Sequence, residues 1–138
     1  MPTHTCSFCL LAGPTYPLPF LVTINQEKWS VVLNNWGALA IRGQHAIEVA
    51  PPDPVRDHWV VDWLTKSPAE PTVPVDRWPR ISRGRSLYVG DRAFDLARFK
   101  RLLAWMDDGV MWYDAQDHFL VMRTERARAV LMTRKRMR

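Results

Sequence analysis

The run His4-Thr5-Cys6-Ser7-Phe8-Cys9 sets two thiols three positions apart, with an imidazole two positions before them. Thiolates and imidazoles are zinc ligands, and a Cys-x-x-Cys pair on a turn can fill two corners of a tetrahedron. His4, Cys6 and Cys9 would supply three ligands, leaving the fourth to His45, His58 or His118. No second Cys-x-x-Cys and no paired histidines follow. The pattern therefore predicts no required cofactor, and the bland alternative is two small, reduced, partly buried thiols. A redox couple would need the βαβ context of a thioredoxin-like site, which the flanking sequence lacks.

The second chemistry is cationic. Residues 76–138 hold fifteen Lys and Arg against eight Asp and Glu, a balance of +7, whereas residues 1–75 hold four against six. Arginine forks match phosphate oxygens, so this half suits a nucleic acid or an acidic protein surface; the competing reading is a solvated face. The residues expected to carry the contact are Arg98, Lys100 and Arg101 on a helix, with Trp105 beside them. Arg134, Lys135 and Arg136 in the closing basic tail would join them. Acid–base chemistry has weaker support. Glu48, Asp57, His58 and Asp62 match no metal or nucleophile spacing, so a binding protein is expected rather than an enzyme.

The elements that must position these residues can be read from periodicity. With 138 residues, 47% hydrophobic and 24% charged, the chain is long enough for one domain with a real core. Residues 1–19 form a Pro-rich N-terminal segment. Residues 20–66 form a small β-meander (Phe20–Ile24, Lys28–Asn34, Gly37–Arg42, His45–Val49) followed by a helix over Pro54–Thr65. Asn34-Asn35 is the expected hairpin turn, since Asn tolerates positive φ. Asp53 and Pro54 begin the helix as cap and first residue, with Val55, Trp59 and Trp63 on one face. Residues 67–85 are a Pro/Arg-rich connector. Residues 86–135 carry a β-α-β-β-β unit: Ser86–Val89, a helix over Phe94–Met106, then Val110–Asp114, His118–Thr124 and Arg128–Thr133. Asp95 should cap that helix, and Phe94 and Phe99 should staple its start. Leu96, Phe99, Leu102, Leu103 and Met106 make its apolar stripe, and Gly109 in the left-handed conformation should end it. The predicted fold class is α+β, an antiparallel sheet with one main amphipathic helix, preceded by the meander.

The order Val75-Asp76-Arg77-Trp78-Pro79, strand, helix, three strands and the closing Ala129-Val130-Leu131-Met132-Thr133-Arg134 resembles the C-terminal module of bacterial-type DNA polymerase sliding clamps. The resemblance covers about half of the chain. It implies a processivity-factor-like role in DNA replication, with Arg98, Lys100 and Arg101 on an inner, DNA-facing helix. Residues 20–50 would then be strands of a preceding unit whose helix is reduced or missing. The chain departs from the family in supplying little more than one module, so a closed ring would need a homo-oligomer, and the His-x-Cys-x-x-Cys segment has no counterpart there.

A different class, a small phage-type regulator docking on a host polymerase or transcription factor, fits the seven tryptophans and polarised charge equally well. No apolar run approaches the roughly 20 residues needed to span a bilayer, and no basic segment precedes an apolar one at the start. A cytoplasmic protein without a membrane partner is expected. Elemental analysis of the purified protein should find no stoichiometric zinc. One zinc per chain, lost in a Cys6→Ser, Cys9→Ser variant that also unfolds, would overturn this.

Overall fold

Alternating apolar residues and well-placed turn formers produce, among the described residues, antiparallel strands interrupted by two short helices. A computed structural model describes residues 11–13, 16–46, 48–67, 73–74, 81–89, 92–114, 116 and 118–133. The fold is α+β, with a small β-meander ahead of the strand–helix–three-strand run. The chain divides into two compact units, Met1–Lys66 and Ser67–Arg138.

In the first unit, β1 (Phe20–Ile24), β2 (Glu27–Asn34) and β3 (Gly37–Arg42) pair as an antiparallel meander. Phe20, Val22 and Ile24 point inward from β1, the period-2 pattern of a half-buried strand. The turn between β1 and β2 uses Asn25 and Gln26 at φ 51° and 69°. Positive φ at both central residues gives the primed geometry whose twist matches a hairpin. The expected Asn34-Asn35 turn is displaced. Asn34 is the last residue of β2, paired with Gly37, and neither Asn has positive φ. Asn34 acts instead through its side chain: Oδ1 accepts from the Asn35 amide at 2.8 Å and Nδ2 donates to the Leu11 carbonyl at 3.2 Å.

The strand expected over His45–Val49 does not form among the described residues. Gly43, at φ 95°, turns the chain back beside β2, where its amide donates to the Lys28 carbonyl at 2.8 Å. The buried Ser30 hydroxyl then donates to the Gly43 carbonyl at 2.6 Å and accepts from the His45 amide at 2.9 Å. These bonds occupy backbone groups that a further ladder would use.

Helix α1 (Pro54–Leu64) begins as the sequence predicts. Asp53 accepts from the amides of Val55 and Arg56 at 3.1 and 3.2 Å, and Pro54 fills the first turn. Its buried face is not Val55-Trp59-Trp63. Arg56, Val60, Trp63 and Leu64 are buried, while Val55 is 77% and Trp59 39% exposed. Apolar residues run almost all round this helix, so periodicity alone could not choose the face. The Arg56 guanidinium lies 3.8 Å from the Phe20 ring centroid, bonds Asp57 Oδ1 and donates to the Pro51 carbonyl at 3.1 Å.

The second unit contains β4 (Val73–Pro74), β5 (Ile81–Arg83), β6 (Ser86–Val89), β7 (Arg92–Asp95), α2 (Leu96–Leu103), β8 (Val110–Asp114), β9 (Phe119–Arg123) and β10 (Ala127–Met132). Within it, strands run in the order β10-β9-β8-β4, and β5-β6-β7 form a separate three-stranded sheet. Strand β7 departs from the expectation, which places Phe94 in the helix. Asp95 is indeed the cap, and its extended φ −71°, ψ 117° requires the preceding residues to be non-helical. Phe94 is therefore a strand residue, fully buried and edge-on to Tyr113 with centroids 6.4 Å apart.

Helix α2 also ends earlier than Met106. The Trp105 and Met106 amides donate to carbonyls only three residues back, tightening the chain into turns. Asp108, not Gly109, takes the left-handed conformation, at φ 57°. Gly109 serves space instead: a Cβ there would meet Thr124 Cγ2 at 3.0 Å and the carbonyl oxygens of Arg123 and Met106 at 3.1 Å. The buried stripe is narrower than expected. Phe99 and Leu102 are fully buried and Met106 is 2% exposed, whereas Leu96 and Leu103 are only half-buried. Leu102→Ala should therefore cost ~2–5 kcal/mol in chemical denaturation, and Leu103→Ala clearly less. Equal destabilisation at the two positions would sink this orientation.

Candidate polyanion-binding surface

The register of α2 against its core decides which charges reach water. With Phe99 and Leu102 turned inward, Ala97, Lys100, Arg101 and Ala104 are the exposed residues of the outer face. Lys100 and Arg101 flank a midline made of the two alanines, as a rotation of about 100° per residue dictates. Arg98 and Trp105, expected beside Arg101 on that outer face, lie on one half-buried flank. The Arg98 amide donates to Asp95 Oδ1 at 3.0 Å, closing the cap. No acidic residue occurs between Leu96 and Met106, although exposed Asp107 and Asp108 follow. Lys100 and Arg101 in the last turn also complement the negative end of the helix dipole.

The fold adds two arginines that sequence reasoning missed. The β5–β6 hairpin turns at Gly84, φ 62°, and presents exposed Arg83 and Arg85 at its tip. The Arg85 carbonyl accepts from the Leu96 amide at 3.0 Å, so this tip lies against the start of α2. Leu96 and Arg101 are about 7.5 Å apart along the helix axis. The hairpin and the helix together thus offer cations over a short span, with Asp95 among them already bonded to its helix. Nothing in the local pattern around Arg83 and Arg85 marks them, because their importance comes from a contact with a residue eleven positions later.

The histidines considered as zinc ligands go elsewhere. His45 Nε2 donates to the Arg42 carbonyl at 2.6 Å. His118, at φ 58°, meets the Tyr113 hydroxyl through Nδ1 at 2.8 Å and the Arg92 guanidinium through Nε2 at 3.4 Å. A guanidinium only donates, so Nε2 accepts and Nδ1 carries the proton that Tyr113 receives. His58 is exposed on α1, and Asp57 is committed to Arg56 and to the Asp53 amide at 3.3 Å. Among the described residues, no three of His, Cys, Asp and Glu gather as a metal-holding group. His4, Cys6, Cys9, Arg134, Lys135 and Arg136 lie outside the described residues. Among those described, no helix is long and apolar enough to cross a membrane.

The chain matches no known protein family, no curated protein and no solved structure. If Lys100 and Arg101 serve contact rather than folding, a Lys100→Gln, Arg101→Gln variant should keep its stability within about 0.5 kcal/mol. A larger decrease in denaturant titration would place these side chains in the fold's own energetics.

Proposed function

We propose that this chain is a non-enzymatic nucleic-acid-binding protein, a sliding-clamp-like module acting in DNA replication or related transactions. The observation that carries the reading is the outer face of α2. Lys100 and Arg101 stand exposed around two alanines, directly opposite the buried Phe99 and Leu102, with Arg83 and Arg85 brought to the helix start. Contacts of this kind neutralise phosphates without reading sequence, since they meet the backbone and not the base edges. Small alanines on the midline keep the helix backbone accessible to a close-lying strand. The strand–helix–three-strand order on which the sliding-clamp resemblance rests supports the same reading, and a ring would require several copies of the chain.

A second reading has its own observation. Val55 and Trp59 are exposed on α1, at 77% and 39%. An exposed Trp beside an aliphatic residue suits a protein partner, as a regulator docking on a polymerase or transcription factor would present.

Duplex DNA binding measured across a salt series separates the two. Under the first reading, log K falls linearly with log salt, with a slope near −0.9 for each phosphate neutralised. A quadruple Arg83→Gln, Arg85→Gln, Lys100→Gln, Arg101→Gln variant then flattens the slope by about 0.9 for each phosphate no longer neutralised. Under the second, DNA affinity is negligible and Trp59→Ala abolishes partner capture. Binding whose slope survives the quadruple substitution would remove α2 from the interface.

A further inference from the structure

Strand alternation gives the β5-β6-β7 sheet two unlike faces. Leu87 and Phe94 are partners in the β6–β7 register and are fully buried, so they make its inner face. Successive strand residues point to opposite sides. Ser86 and Tyr88, which flank Leu87, therefore belong to the outer face. Ala93 joins them opposite Tyr88, and Arg83 and Asp95 both stand opposite Ser86. Tyr88 is 38% exposed and Arg83 is exposed, whereas Ser86 is buried and Ala93 and Asp95 are half-buried. Serine and alanine beside Tyr88 are too small to cover its ring.

The setting of this tyrosine differs from that of the other exposed apolar groups. Among the described residues, Val55, Trp59 and Tyr88 are the large apolar side chains left in water. Tyr88 alone of the three lies in the half of the chain with a balance of +7. Arg83 is its diagonal neighbour across β5 and β6, a separation of about 7–8 Å that long side chains bridge. Exposed Arg85 sits in the turn joining the same two strands. Asp95 shares the outer face, but its Oδ1 already accepts the Arg98 amide at 3.0 Å. Among the described residues, neither the Tyr88 nor the Arg83 side chain is held by a hydrogen bond, an ion pair or a ring contact.

We propose that the outer face of the β5-β6-β7 sheet is a stacking platform for an unpaired nucleobase, with Tyr88 under the base and Arg83 and Arg85 on phosphates of the same strand. The inference rests on the nucleic-acid reading above and narrows it, at this face, to single strands. An aromatic ring accepts the π-face of any base, so the contact tolerates sequence. Bases inside a duplex are covered on both faces by their neighbours, and only an unpaired base has a face to offer. The diagonal spacing lets one nucleotide lay its base on Tyr88 while its phosphate meets the Arg83 guanidinium. An acidic protein surface would meet the arginines, but it has no regular alternation of anionic groups and planar rings.

Fluorescence anisotropy with three labelled probes separates base from phosphate: an oligothymidylate, an abasic strand of the same length and charge, and duplex DNA. Wild type should bind the oligothymidylate about fivefold or more tightly than the abasic strand. This comparison needs no variant to fold. Tyr88→Ala should bring the two strands to equal affinity while leaving the abasic and duplex affinities and the salt slope unchanged, since no phosphate contact is lost. Tyr88→Phe, which keeps the ring, should retain the preference. Equal wild-type affinity for the two strands, or a preference that survives Tyr88→Ala, would overturn the platform and leave phosphate binding standing. Failure of wild type to bind any of the three probes would remove the nucleic-acid reading itself, and the platform with it.

Discussion

Asp95 is the point at which a strand becomes a helix, and much of the second unit depends on that change of conformation. Its backbone is extended, so it completes β7 opposite Ser86, and its carboxylate accepts the Arg98 amide that the first turn of α2 would otherwise leave unpaired. The Leu96 amide, another orphan of that turn, is taken by the Arg85 carbonyl. With both ends of the switch satisfied, the rotation of α2 is set. Phe99 and Leu102 must then enter the core and Lys100 and Arg101 must leave it. A cap one residue earlier or later would rotate that face by about 100° and bury a cation.

The charge of the second unit is thereby sorted onto separate surfaces. Exposed cations on α2 and on the β5–β6 hairpin cost little, because water solvates them and salt screens them. Arg123 and Arg128 are a different case, paired across β9 and β10 and half-buried, and burial holds Arg123 below its ordinary range.

The first unit handles buried polarity by full satisfaction. Ser30 is completely buried, yet its hydroxyl both donates and accepts, joining β2 to the chain that leaves β3. Arg56 is buried at 6% exposure, with Asp57, the Pro51 carbonyl and the face of Phe20 around its guanidinium. Partners removed singly from such groups leave a desolvated polar atom behind, which costs more than the bond itself contributed. These two residues join segments distant in sequence more specifically than apolar contact does.

Local grammar was legible in the sequence, and the reason is that it acts over a few residues. Strands β1, β3, β6 and β8 fall on the predicted boundaries, and Asp53 and Asp95 cap as their types and neighbours dictate. What it could not determine was orientation. Val55-Trp59-Trp63 and Val60-Leu64 are both acceptable apolar stripes on α1, and only packing against β1 selects the second. Phe94 has the same apolar side chain in a strand or a helix, so β7 appears only when β6 is present to pair with it. The candidate site divides the same way. Lys100 and Arg101 could be found from helical spacing. Arg83 and Arg85 could not, because their place depends on one hydrogen bond to α2, nor could Tyr88 as the neighbour of Arg83, because strand register exists only once two strands meet.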